Sequence, residues 1–296
     1  MNYFKSIIVS LMLVGFLNAN ETKPKNSVIP MVVPISWLKN AINNPNLVII
    51  DVRDKKTFDK GHIKNAINMP IFKDFFDKNY MIPKLSFLKK LYNNAGVDSK
   101  SIVVIYGNAQ LIWAARAYWV SKVLGVNHVG LLKVSYGNWE KGVIPTSVKV
   151  YKPKNKEFIP RVDNSILQTK LSTLMSVGKK IIIDGRPKDF YNGKKSHAKR
   201  FGHIPTALNY PGSYNYEINP SGSNMKEFNV LKKLYKNLPK NKSIILYCED
   251  GADAALNFIV LKKLGYKVSV YDGSWLEWGN DYNLPIVNLS KKDKEN

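Results

Sequence analysis

The sequence predicts an α/β protein made of two tandem halves, each a parallel sheet with helices on both faces. Three observations carry that expectation. Short apolar runs alternate with helix-forming runs along nearly the whole chain, as parallel strands joined by crossover helices require. The chain has 296 residues, about two domains' worth. The same motifs recur in the same order: Asp51-x-Arg53 with Asp184-x-Arg186, Gly61-His62-Ile63 with Gly202-His203-Ile204, and Trp139 with Trp278. A spacing this long marks a duplicated domain, not a short-period solenoid.

The first residues stand apart from that pattern. Lys5 forms a short basic region, Ile7 to Phe16 is apolar, and Leu17-Asn18-Ala19 precedes a polar stretch. This predicts a secretory signal peptide over 1–19, cut after Ala19. The apolar run is too short to span a bilayer comfortably. No cysteine follows it, so a lipoprotein and a stable membrane anchor are not expected. Export places the protein in the periplasm or outside the cell.

Residues 20–31 read as extended. Pro34-Ile35-Ser36-Trp37-Leu38 opens a helix, with Ser36 in the N-cap role. Leu47 to Ile50 is a strand ending at Asp51. Leu85 to Tyr92 is helical and Ile102 to Tyr106 a second strand. Ile112 to Leu124 reads as a long amphipathic helix stopped by Gly125, and Val129 to Leu132 as a short strand. The first domain spans 30–147, and the Lys- and Pro-rich stretch 148–160 reads as a linker.

The order then repeats over a second domain, 161–288. Ile166 to Val177 is read as helix, Ile181 to Ile183 as strand, and Glu227 to Tyr235 as helix. The apolar run Ser243 to Tyr247 predicts a buried strand. It ends at Cys248, the only cysteine in the chain. Gly251 follows, then a helix to Leu264 stopped by Gly265, a strand Val268 to Tyr271, and Trp278.

Cys248 is the residue with chemistry to offer. In open parallel sheets, sites lie beyond the carboxyl ends of the strands. A cysteine there meets loop amides and the positive end of a helix, which favour the nucleophilic thiolate. A single cysteine makes no intrachain disulfide, so the thiol is free even in an oxidising compartment. Its counterpart in the first half falls near Gly107-Asn108, without a cysteine, so the first half reads as catalytically silent.

Taken together, these motifs resemble the rhodanese family of sulfurtransferases, specifically its tandem two-domain members. The Asp-x-Arg and Gly-His-Ile-Pro-x-Ala signatures carry the resemblance. So do the strand-ending cysteine with a glycine three residues later and Tyr271-Asp272-Gly273-Ser274-Trp275. The resemblance implies two tandem rhodanese-like domains, the second active. Cys248 would take the sulfane sulfur of a small anionic donor (thiosulfate, 3-mercaptopyruvate or polysulfide) as a persulfide. It would then pass that sulfur to cyanide or a thiol. The loop Glu249, Asp250, Gly251, Ala252 and Asp253 would surround the substrate. Backbone N–H groups would serve the anionic sulfur, and Gly251 would permit the turn.

Two features qualify the likeness. Glu249, Asp250 and Asp253 stand where thiosulfate-selective members are said to carry basic residues. Carboxylates there raise a thiol pKa and repel a dianion. Asp253 has a second reading as a helix cap. Arg186 is the best anion-binding candidate, its alternative being a fixed ion pair, and a second substrate-binding arginine has no clear match. His62 and His203 recur in both halves, which points to structural hydrogen bonds.

Other classes fit less well. The formal charge of +23 is mostly lysine, scattered along the chain, with five arginines (Arg53, Arg116, Arg161, Arg186 and Arg200). That pattern describes a solvated surface, not a nucleic-acid groove, though it can attract small anions. Four histidines and one cysteine show no metal-ligand spacing, and no cofactor motif appears. A cysteine phosphatase needs Arg at the sixth position after the nucleophile, where Ala254 stands. A sulfur carrier or polysulfide-binding protein that delivers sulfur without rapid turnover is the alternative from another class.

Overall fold

The computed structural model describes residues 29–139 and 142–290. The leader over 1–19 and most of the stretch 20–31 lie outside the described residues.

Two five-stranded sheets, all parallel, form the frame. In the first the order is Val32–Val33, His128–Leu132, Ile102–Tyr106, Leu47–Asp51, Ala66–Asn68. In the second it is Leu167–Gln168, Lys267–Tyr271, Ser243–Tyr247, Ile181–Asp184, Leu208–Asn209. The registers repeat too: Asp51 lies beside Tyr106 as Asp184 lies beside Tyr247. β-branched runs such as Ile102-Val103-Val104-Ile105 and Ile181-Ile182-Ile183 build these strands because both sheet faces are buried.

The outer face of each sheet packs a core of its own. Leu38, Ile49, Val104 and Tyr106 belong to one; Ile182, Ile245, Tyr247 and Trp275 belong to the other. The inner faces share a single core that runs from Val103 and Tyr118 through Leu246 and Phe258. At its centre the Leu111–Val123 helix packs against the Ala252–Lys263 helix. Eleven of the thirteen residues of the first helix are buried. It is therefore not the amphipathic helix the sequence suggested: it is covered by its own sheet on one side and by the other half on the other.

Two further expectations need correction. Ser36 does not cap the first helix, Ile35–Ala41. Pro34 occupies the N-cap with extended backbone, and Ser36 falls inside the first turn. The stretch 166–177 is not one helix. Leu167–Gln168 pairs with Val270 and Tyr271 as an edge strand. Thr169 and Ser172 then form a capping box on the short Lys170–Leu174 helix. Edge pairing overrides the local helical pattern.

The chain between the halves is extended but fastened. The Lys156 N–H donates to the Asn93 carbonyl and the Phe158 N–H to Asn93 Oδ1, while Phe158 stacks on Tyr92. Both Gly-His-Ile histidines are structural as expected. His62 lies flat on Phe58 and bonds its carbonyl; His203 does the same with Tyr191. Among the described residues no helix is long and apolar enough to cross a membrane.

Candidate active site

Cys248 is the first residue beyond the Ser243–Tyr247 strand, at its carboxyl end. Gly251 caps the following helix with φ +89°, a left-handed conformation that side-chain-bearing residues rarely adopt. That turn folds the chain back, so the Gly251 N–H donates to Cys248 Sγ at 3.1 Å. The Cys248 thiol in turn faces Asp250 Oδ1 at 3.8 Å, and Asp250 Oδ1 also accepts the Ala252 N–H at 3.1 Å. Thus Asp250 serves the helix N-terminus. Asp253 does not cap it: it sits inside the first turn, against Gly212 and Gly185.

Cys248 is fully buried. Burial pushes its thiol well above the usual range, and the Asp250 and Asp253 carboxylates push it further. Loop amides, those of Ala254 and Asp250, pull the other way and lose. The thiolate favoured by the strand–loop–helix context alone is therefore not the resting form. Asp253 is itself pushed up to about 8, by burial first and then by Asp250 and Asp184. Burial also raises Glu249, which the neighbouring Arg186 partly offsets.

Arg186 is held on every side. Its Nε and Nη2 reach the Asp184 carboxylate, Nη2 also meets the Gly202 carbonyl at 2.6 Å, and Nη1 meets Glu249 Oε2 at 3.3 Å. The guanidinium lies 4.4 Å from the Trp275 ring centroid. Burial opposes its charge, but Asp184 more than offsets this, and the group stays firmly cationic. Glu249 is pinned between Arg186 and the His197 N–H. The first half has the same device without the glutamate: Arg53 chelates Asp51, meets the Gly61 carbonyl and stacks on Tyr136 at 3.7 Å.

The two halves part at the strand end. Gly107 stands where Cys248 does, and a Cβ there would lie 3.0 Å from Val52 Cγ2. Val52 fills the space a side chain would need. Its counterpart in the second half is Gly185, which has no side chain to place there.

Three residues of the site were not assigned to it from sequence, although Ser274 and Trp275 belong to a motif that carries the resemblance. Ser274 accepts the Cys248 N–H at 3.2 Å, and Trp275 donates its N–H to the Cys248 carbonyl at 2.9 Å. Arg116, from the first half, lies against Gly251. A signal for it existed: of the five arginines it is the one inside a predicted helix, Ile112 to Leu124.

The electrostatics gives a direct test. Asp250→Asn removes one of the charges that raise the thiol while keeping an oxygen for the Ala252 amide. Since alkylation tracks the thiolate fraction, the iodoacetamide rate of Cys248 at pH 8 should rise about tenfold. An unaltered rate–pH profile would show that this carboxylate does not control the thiol.

The rhodanese-like domain family matches residues 34–142 and again 167–281. The chain is 30% identical to the thiosulfate sulfurtransferase of Corynebacterium glutamicum, covering 86% of this chain and 89% of that one. It is 33% identical to the sulfur carrier protein TtuD of Thermus thermophilus, covering 87% and 96%. Among solved structures it resembles the 3-mercaptopyruvate sulfurtransferase SseA of Escherichia coli, with TM-score 0.72, 25% identity and coverage of 83% and 98%. The fold also matches an anaerobic ergothioneine biosynthesis enzyme of Chlorobium limicola, with TM-score 0.76 at 20% identity over 87% of this chain and 70% of that one. The chain belongs to the rhodanese-like family. It is a sulfurtransferase with two tandem domains.

Proposed function

We propose that the protein is an exported sulfurtransferase that carries a sulfane sulfur on Cys248 as a persulfide. The observation that carries this reading is the cradle of the one thiol: the Gly251 N–H on Sγ and the Asp250 carboxylate across from it. In the first step the thiol proton passes to Asp250 and Sγ attacks the sulfane sulfur of the donor. A new S–S bond forms, the donor's own bond to that sulfur breaks, and the remainder leaves with the electron pair. In the second step cyanide or a thiolate attacks the outer sulfur. The S–S bond breaks, its electron pair returns to Sγ, and Asp250 returns the proton. Two displacements at one sulfur give ping-pong kinetics. Arg186 acts by holding Glu249 and the strand end in place. The first half takes no part in the bond changes.

The Asp250 and Asp253 carboxylates beside Sγ weigh against the thiosulfate dianion and favour 3-mercaptopyruvate, polysulfide or a persulfide as donor. The leader over residues 1–19 supports a periplasmic or secreted location. The test is the intact mass of the protein after each donor separately, then after cyanide. A one-sulfur adduct with 3-mercaptopyruvate or polysulfide, removed by cyanide, is expected, and less of it with thiosulfate. Complete loading by thiosulfate at the lowest concentration would overturn the donor preference. Loading without turnover would favour the carrier reading, for which the likeness to TtuD is the support.

A further inference from the structure

We propose that the first half completes the active centre through Arg116, a positioning residue that clamps the Cys248 loop by way of Asp272. The inference rests on Cys248 being the reacting group.

Arg116 projects from the middle of the Leu111–Val123 helix and is fully buried. Its Nη1 donates to Asp272 Oδ1 at 2.7 Å. The Ile82 N–H, also from the first half, donates to Asp272 Oδ2 at 2.8 Å. Both oxygens of this second-half carboxylate are therefore held by the other half. Asp272 opens the segment that carries the cysteine backbone: Ser274 accepts the Cys248 N–H, the Trp275 N–H donates to the Cys248 carbonyl, and the Leu276 N–H donates to the Glu249 carbonyl. Arg116 also touches the turn itself. A Cβ on Gly251 would meet its Nη1 at 2.7 Å. Gly251 is the residue whose amide sits on Sγ.

Simple packing does not account for this arginine. Its Nε and Nη2 find no hydrogen-bond partner among the described residues. The guanidinium carbon lies 4.7 and 4.9 Å from the ring centroids of Phe76 and Trp119. A buried cation with idle donors is less favourable than an apolar side chain of the same volume. The internal repeat sharpens the point. Five residues into each long helix stand Arg116 and Asn257, and just past each matching strand stand Lys133 and Asp272. Asn257 bonds within its own half, to Asn215, Tyr235 and the Tyr210 carbonyl. Lys133 also pairs across the halves, with Glu227, but that pair is solvent-exposed. The buried charge pair that crosses between halves, Arg116 with Asp272, lies on the side that holds the cysteine.

The experiment uses the full chain with Arg116→Met and Asp272→Asn together, so that no unpaired buried charge remains. Expected are a folded protein with near wild-type circular dichroism, a donor KM within about twofold, and kcat reduced about tenfold or more, as small misplacements of a reacting group produce. The rate–pH profile of Cys248 alkylation should move to higher pH, because the Gly251 amide is no longer fixed on Sγ. Arg116→Lys, which keeps a donor for Asp272, should recover part of both. If the double variant fails to fold, Arg116→Met alone carries the same test, since Asp272 keeps the Ile82 N–H. A wild-type kcat and alkylation profile in a folded variant would overturn the proposal, and so would a loss confined to KM. The alkylation readout needs no turnover. Failure of the sulfur-transfer reading would appear separately, as a wild-type protein that takes up no sulfur on Cys248.

Discussion

Cys248→Ser abolishes sulfur transfer, a loss of about a thousandfold or more, while the protein remains folded. The serine hydroxyl fits the same buried space and can accept the Gly251 N–H and donate to Asp250, so no polar group is stranded. What it lacks is an accessible anionic state and a polarisable nucleophile, and with them the covalent intermediate. The measurement is donor-dependent thiocyanate formation by a variant whose melting temperature matches the wild type. No sulfur adduct should appear by mass with any donor. Retained turnover in the purified variant would move the chemistry away from Cys248 altogether.

The second large effect is on stability, and here the duplication supplies its own control. Asp184 and Asp51 are both fully buried, and each holds its arginine through two or more hydrogen bonds. Truncating either to alanine strands a buried guanidinium, which costs about 3–5 kcal/mol. In the second half the Tyr247 hydroxyl also loses its acceptor. Asp51→Ala and Asp184→Ala should therefore lower the urea midpoint by comparable amounts. Only Asp184→Ala should also slow sulfur transfer below denaturing urea, because only Arg186 continues to a loop glutamate beside the cysteine. Equal slowing in both variants would mean that the activity loss is global loosening. No stability loss in either would show that the chelates are dispensable.

Much of this was legible in the sequence, and the reasons differ by residue. The duplicated sheets could be read because Leu47 to Ile50, Ile102 to Tyr106 and Ser243 to Tyr247 are uninterrupted apolar runs. A strand buried on both faces needs such runs. The Gly251 turn could be read because only glycine adopts φ +89° freely. The ionisation of Cys248 could not. Sequence shows three acidic residues and a helix start, but the largest influence is burial, which depends on packing from both halves. Arg186 left two readings open for the same reason: its partners Gly202 and Glu249 come from distant segments. The strand at Leu167–Gln168 was hidden because two residues are too few for a period-two pattern, and its pairing with Val270–Tyr271 alone defines it. Arg116 was visible as an oddity, but its meaning lies wholly in Asp272, 156 positions away.

The shared inner core also bears on how the molecule comes into being. The Leu111–Val123 helix, buried on nearly every side in the finished protein, is translated long before Ala252–Lys263 exists to cover it. While the second half is still being synthesised, the first exposes a flank of Ala, Tyr, Trp and Val to its surroundings. Nascent chains in that condition are prone to self-association. A ribosome that pauses between the two repeats would therefore release not a stable spare domain but a sticky fragment, and any separation of the two coding halves would have to supply another lid for that helix.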